Sequence, residues 1–276
     1  MDAVPALVHP AAMHRIAAFA IATTVATAAA GDDMEVDLEL VLMVDVSRSM
    51  TERELEIQRL GYAAALQSDA VYAAVQSGYL QRVALSYVEW ARSQEVIVDW
   101  RLLESREDLE AFANTLTTEF NSGLRRTSIS EALIFGAGLI ESNIYDGLRK
   151  VIDISGDGPN NEGRPVTQAR DQVLAEAITI NGLPLMTREG MGSQWHLDDL
   201  DIYYTACVIG GPGSFVVPVG DWEDFAAAVR RKLVLEIAAA PGSEDVVLAQ
   251  FEPLDPYDCT IGEKMWEQRR MQWDSQ

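Results

Sequence analysis

Apolar positions along the chain recur in two rhythms, and their alternation predicts the fold. Leu38-Glu-Leu-Val-Leu-Met-Val-Asp45 becomes continuously apolar before it ends on a carboxylate, as in a strand covered on both faces of a parallel sheet. Residues 52–77 then place Leu55, Ile57, Leu60, Ala64 and Leu66 at helical spacing, and Asp69 offers a start for a second segment. Arg82–Trp90 and Glu95–Trp100 read as strands of a hairpin turning through 91–94. A helix over 106–119 opens on Ser105 with Glu107 and Asp108 in its first turn, and Ser128-Ile-Ser-Glu131 matches a capping box for the next. Lys150–Ser155 is a strand, 166–178 a helix and Ile178–Leu183 a strand. Tyr203–Ile209 and Phe215–Val219 read as the last strands before the helix Trp222–Ala239. Together these predict an α/β fold: a doubly wound, mostly parallel central sheet with one antiparallel edge strand and helices on both faces.

Three stretches stand apart from this alternation. Met13-His14-Arg15 precedes an uncharged, Ala-rich run from Ile16 to Ala30, the pattern of a secretory signal over residues 1–30; an N-terminal arm is the alternative. The run is shorter than the about 20 apolar residues of a membrane span, so no stable membrane insertion is expected. Residues 186–201 hold Gly190, Gly192 and Trp195 and read as an insertion. After Pro241-Gly242 a tail over 241–276 contains a short helical stretch, Gly262–Trp273, whose Trp266 and Trp273 lie one heptad apart. That stripe reads as a lid on the parent domain or as a partner-binding segment.

The chain carries 21 Lys and Arg against 43 Asp and Glu, a formal charge of −22. Such an excess of acid excludes phosphate-tracking nucleic-acid binding and docking on anionic lipid, and it favours cations or a basic partner. Two cysteines, Cys207 and Cys259, either pair in an oxidising compartment and tie the tail to the domain, or stay as buried thiols. With His9 and His14 in the expected signal, only His196 remains for histidine chemistry. Zinc sites of the usual spacing and a Ser-His-Asp hydrolase are therefore not expected.

Three loops at the carboxyl end of the expected sheet carry the candidate chemistry. Asp45-Val-Ser47-Arg-Ser49 follows the first strand, Thr127 precedes a helix, and Asp157-Gly158 follows the strand at 150–155. In an extended loop, residues 45, 47 and 49 point to one side, presenting a carboxylate and two hydroxyls. Thr127 adds a hydroxyl and Asp157 a second carboxylate. Oxygen ligands of this kind suit a hard divalent cation and leave room for an exchangeable ligand. Turn and cap chemistry is the bland alternative for each residue taken singly.

Leu40–Met50 (LVLMVDVSRSM), Thr127–Leu133 (TSISEAL) and Ile152–Asn161 (IDISGDGPNN) resemble the three parts of the metal-ion-dependent adhesion site of von Willebrand factor A domains. The resemblance covers residues 36–240. It implies Asp45, Ser47, Ser49, Thr127 and Asp157 as metal ligands, with Mg²⁺ first and Mn²⁺ or Ca²⁺ as alternatives. Gly61-Tyr62, Tyr87–Trp90, Gly156–Asn161 and Val208–Gly213 further resemble a bacterial branch of A-domain-like proteins known as a domain of unknown function. Two departures stand out. Gly156 occupies a position where many such domains have Thr or Ser, and residues 186–213 lengthen the link to the last strand.

The resemblance implies a secreted or periplasmic module whose metal holds an acidic side chain of a partner protein. The acids outside the two metal ligands are read as surface, which would repel most candidate partners and act as a filter. No general base or nucleophile pair is evident, so an enzyme is not expected. A metal-dependent phosphatase using Asp45 is the alternative, weakened by Ser47 standing where a second carboxylate is usual; a scaffold with a purely structural metal is another. Asp153 lies inside an apolar strand, where an ionised carboxylate needs a partner. A first-loop partner, an indirect role toward the metal, or a solvent-facing position are the readings for it.

Overall fold

The computed structural model describes residues 33–118, 126–187, 196–238 and 257–274. The expected signal, the 241–256 part of the tail, and Gly190, Gly192 and Trp195 of the insertion lie outside the described residues.

Strand β2 (Leu38–Asp45) is the centre from which the rest is organised. With β1 (Met34–Val36), β3 (Val83–Trp90), β4 (Gln94–Leu103), β5 (Tyr145–Gly147), β6 (Lys150–Gly156) and β7 (Thr179–Pro184), it builds one five-stranded sheet and one two-stranded ribbon. The sheet order is β4-β3-β2-β6-β7, and every pairing in it is parallel except β3 with β4. The ribbon pairs β1 with β5 in parallel. The predicted fold class, a mostly parallel sheet with a single antiparallel edge strand and helices around it, is observed.

Alternation along β2 divides the core in two. Leu38, Leu40, Leu42 and Val44 face a layer that includes Tyr62, Leu66, Phe112, Phe225 and Leu233, whereas Val41 and Met43 face Ile129, Leu133, Ala169 and Tyr203. The first layer is supplied by α1 (Glu52–Leu66), α2 (Asp69–Ser77), α3 (Arg106–Thr118) and α7 (Phe225–Ala238). The second comes from α4 (Ile129–Glu141), α5 (Val166–Ala175) and α6 (Leu200–Tyr203), which continues into a π-helical turn, Tyr204–Val208. Ser68 accepts from the Val71 amide and starts α2 as a separate helix.

Two expectations need correction. Within the expected strand Tyr203–Ile209, residues 203–208 are helical and only Ile209 is extended. Residues 203, 204, 207 and 208 are all buried, a spacing that one helical face supplies and that a strand would split between its two faces. The place beside β7 is taken instead by residues 215–219, joined through bridges at Val216 and Val219. Pro218 removes an amide there and keeps the segment from becoming a regular strand. The capping box expected at Ser128 is also absent: the Ser128 hydroxyl donates to the Glu162 carbonyl (3.0 Å), and Glu131 pairs with Arg164 (2.9 Å). The box forms at Thr51, whose hydroxyl accepts from the Glu54 amide while the Glu54 carboxylate accepts from the Thr51 amide.

Cys207 and Cys259 form a disulfide, with Cα atoms 5.5 Å apart, that fixes the segment leading into α8 (Ile261–Asp274). Tyr257 stacks edge-on to Tyr203, and Glu263 accepts from the Asn160 amide group at 2.8 Å. The Arg126 guanidinium lies 4.8 Å from the centre of the Trp266 ring. The Trp273 side chain lies outside the described residues.

Several acids read as surface are interior. Asp37 and Glu39, at the start of β2, collect donors from the loops beneath the sheet: the Leu80 and Arg82 amides for Asp37, the Gly147 amide and the Asn143 side chain for Glu39. Asp153 is buried in mid-strand, and its partner comes from α7 rather than from the first loop. Lys232 Nζ forms an ion pair with Asp153 Oδ1 at 2.6 Å and also pairs with Glu236, which accepts from Asn181 on β7. Burial, followed by the charge of Asp153, pushes Glu236 up to about 7, and burial raises Asp153 as well.

One ammonium thus serves two buried carboxyls. Lys232→Met should lower the unfolding free energy by about 3–5 kcal/mol at neutral pH in a urea titration, because it strands both acids. Their folded-state pKa values lie above those of an unfolded chain, so stability is lost as pH rises through the folded values. The deficit of Lys232→Met should therefore shrink on lowering the pH from 7.5 to 5.5. A deficit below about 1 kcal/mol, or one independent of pH, would show that the cluster does not hold α7 to the sheet.

Candidate metal centre

The order of strands reverses between β2 and β6, since β2 leads to β3 on one side and β6 to β7 on the other. Crevices form outside the carboxyl ends of strands at such a point. Asp45 is the last residue of β2, opposite Trp90 of β3, and Asp157 directly follows β6.

A chain of short hydrogen bonds joins these two carboxylates. The Ser47 amide donates to Asp45 Oδ1 at 2.7 Å, and the Ser47 and Ser49 hydroxyls are 2.9 Å apart. The Ser49 hydroxyl donates to Asp157 Oδ1 at 2.8 Å. Asp45 and Ser47 are buried, while Ser49 and Asp157 are partly exposed, so the group opens outward on the Asp157 side. The loop is short because α1 begins at once: the Met50 amide closes a turn on the Ser47 carbonyl, and Thr51 caps the helix. From the second turn of α1, Gln58 Nε2 donates to the Asp45 carbonyl at 3.0 Å.

Thr127 reaches the same edge through its backbone. Its amide donates to Asn161 Oδ1, its carbonyl accepts from the Asn161 amide, and the following Ser128 amide bonds the Ala91 carbonyl just beyond β3. Residue 127 is thereby held between the end of β3 and the loop after β6, and it is buried. Hydrogen bonds connect the side chains of Ser47, Ser49 and Asp157, with Asp45 joined through the Ser47 amide.

The electrostatics are those of an anionic cluster. Burial, then the neighbouring charge of Asp157, holds Asp45 well above the ordinary carboxylate range. Burial lifts Asp157 to about 6, with the Ser49 hydrogen bond working against the rise and the charge of Glu54 adding to it. Among the described residues Asp45 Oδ2 is buried without a hydrogen-bond partner. A carboxylate oxygen so placed is costly unless it meets a proton or a cation.

Glu54, Gln58, Asn160 and Asn161 were not among the sequence-derived candidates. Glu54 carries a readable signal, because Thr51-Glu-Arg-Glu54 is a capping box directly after the D-x-S-x-S loop. Its other oxygen accepts from the Trp222 indole at 3.0 Å. Asn160 donates from its amide to Glu263 and accepts at Oδ1 from the Ser130 amide; nothing in its sequence neighbourhood distinguishes it from a turn residue.

The residues present fit a hard divalent cation. Two carboxylates, two linked hydroxyls and an unsatisfied oxygen form an oxygen-only donor set. Among the described residues no group of three or more His, Cys, Asp or Glu side chains is arranged to hold a metal.

Solved structures share this architecture. Proximal thread matrix protein 1 from the mussel byssus aligns at 12% identity over 75% of this chain and 48% of that one, with a TM-score of 0.50. The pilus adhesin SpaC from Lactobacillus rhamnosus GG, in its open conformation, aligns at 12% identity over 75% and 31%, with a TM-score of 0.52. A von Willebrand factor type A structure from Catenulispora acidiphila aligns at 14% identity over 73% and 43%, with a TM-score of 0.48. The chain thus spans about half the mussel protein and about a third of the adhesin. At these identities the likeness is one of fold. Among curated proteins none matches the sequence. A family model matches residues 35–241, and the chain accordingly belongs to the family described as "Protein of unknown function (DUF1194)".

Proposed function

We propose that the chain is a secreted or periplasmic interaction module that binds a divalent cation, Mg²⁺ first, through Asp45, Ser47, Ser49, Thr127 and Asp157. An acidic side chain of a partner protein completes the coordination. The observation that carries this reading is the hydroxyl chain linking Asp45 to Asp157 across the strand-order reversal, with Asp45 Oδ2 buried and unsatisfied beside it. A bound cation supplies positive charge to this anionic cluster and an open position for an external oxygen. The protein's own part is orientation. The Ser47 amide fixes one oxygen of Asp45, Ser49 aims Asp157, and Gln58 holds the strand end from which Asp45 projects. Partner binding is favoured over phosphoryl chemistry because Ser47 donates or accepts within the hydroxyl chain, where a phosphatase would place an acid/base carboxylate. Use of the same fold in a pilus adhesin supports an adhesive setting.

Calorimetric titration of the metal-free protein with magnesium should show one saturable site. Asp45→Asn and Asp157→Asn should each weaken it by more than the roughly 10–100-fold typical of outer-shell changes. Magnesium at 100 times its Kd should stabilise the wild type by about 2.7 kcal/mol, and both variants far less. Binding that ignores both substitutions would end the assignment.

Protons should compete with the metal. The carboxyl of Asp157 titrates at about 6, and only its ionised form is a ligand, so affinity should fall steadily as pH drops from 7.5 to 5. A flat profile over that interval would count against Asp157 as a ligand.

A further inference from the structure

Tyr204 enters this site from an element that the metal loops do not include. It opens the π-helical turn after α6 and is fully buried, yet its hydroxyl has no hydrogen-bond partner. Among the described residues neither that oxygen nor Asp45 Oδ2 has a hydrogen-bond partner, and Gln58 Oε1 and the Trp90 indole N–H close by are unpartnered as well.

Two glycines let the ring in. Gly156 and Gly182 lie on neighbouring strands, where Ile154 pairs with Gly182 and Gly156 with Pro184, so both present the same sheet face. A Cβ at Gly182 would sit 2.7 Å from Tyr204 Cδ1. A Cβ at Gly156 would sit 2.9 Å from the Tyr204 hydroxyl and 3.0 Å from Asp45 Oδ2, with Trp90 Cζ2 at 3.3 Å. The phenol oxygen and the carboxylate oxygen therefore flank one point, and bareness of the strand at residue 156 keeps that point open. A larger residue there would strike the hydroxyl, so the strand and the π-turn cannot both fill the space.

The remaining contacts hold the ring in place. Tyr203 packs edge-on at 6.2 Å, the Ile209 amide donates to the Tyr204 carbonyl, and Cys207, three residues on, is covalently tied to Cys259. Burial, then the charge of Asp45, keeps the phenol protonated well beyond neutral pH, so the group facing Asp45 is a neutral donor. Asp45 Oδ1 already has the Ser47 amide, whereas Oδ2 lacks a donor. Chemical complementarity between an unused O–H and an unused carboxylate oxygen carries the argument.

We propose that Tyr204 is a positioning residue of the metal centre, its hydroxyl donating to Asp45 Oδ2 directly or through one water and so setting the direction in which the carboxylate meets the cation. The proposal rests on the reading of Asp45 as a ligand and adds a residue from outside the ligand loops.

The test uses Tyr204→Phe, which keeps the ring and removes only the hydroxyl, and Tyr204→Phe combined with Gly156→Ser, which returns a hydroxyl from the strand. Calorimetric magnesium titration should show a loss of about 10-fold or more in affinity for the single variant, with much of it recovered in the double variant. In parallel, thermal unfolding of metal-free protein is measured for Tyr204→Phe in the wild-type and in the Asp45→Asn background. The midpoint shift caused by losing the hydroxyl should differ between the two backgrounds, as expected for groups in contact. Unchanged affinity in Tyr204→Phe overturns the proposal. So does an affinity loss that Gly156→Ser leaves uncorrected while the midpoint shifts agree, since that is the behaviour of a packing residue. If the wild type binds no magnesium, the proposed function falls; the thermal cycle then decides alone, equal shifts overturning the link between Tyr204 and Asp45 and unequal shifts supporting it.

Discussion

Strand β2 is central in the sheet and covered on both faces, so any charge it carries has to be met from within the protein. Its backbone is satisfied by β3 and β6, and its apolar side chains divide between two helical layers. The cost of burying ions then dictates what surrounds its two ends. At the start, Asp37 and Glu39 draw loop amides and an asparagine toward themselves and so fix the turns beneath the sheet. At the finish, Asp45 Oδ1 accepts from the Ser47 amide, while Oδ2 has no hydrogen-bond partner among the described residues. One end of the strand is therefore saturated with donors, and the other is left electrostatically unfinished.

A nearby cation, or a set of loop donors, separates the structural acids from the candidate functional ones. Asp37, Glu39, Glu89 and Asp153 are all buried, and each has donors or a cation: loop amides for the first two, Arg59 for Glu89 and Lys232 for Asp153. Asp45 and Asp157 are instead linked to each other by hydroxyls and an amide. A net charge of −22 is thus not a uniform coat. Part of it is internal stitching, and another part is concentrated where the strand order reverses.

Legibility in the sequence followed the range of the forces involved. Strands whose faces are both buried show as unbroken apolar runs, so β2, β3 and β6 could be placed with their neighbours and the doubly wound arrangement inferred. The break at Ser68 between α1 and α2 was visible because capping is local. Tyr203–Val208 was misread because two adjacent tyrosines and a β-branched end look strand-like, while the helical choice is made by packing against α5 and β7. The three candidate loops stand out in the sequence because each is a short contiguous pattern. Partners that arrive from distant elements left no such mark: Lys232 is 79 positions from Asp153, and Tyr204 lies far along the chain from Asp45. Gly156 and Gly182 could be seen only as small residues; that they make room for one ring is a property of the folded sheet.

The disulfide between Cys207 and Cys259 also determines how the molecule carries force. Tension applied to the chain beyond residue 259 passes through the covalent bridge to residue 207 and does not stretch the intervening segment, which includes α7. The load then enters the body of the domain at the π-helical turn, a few residues from Tyr204, rather than by peeling the last helix from the sheet.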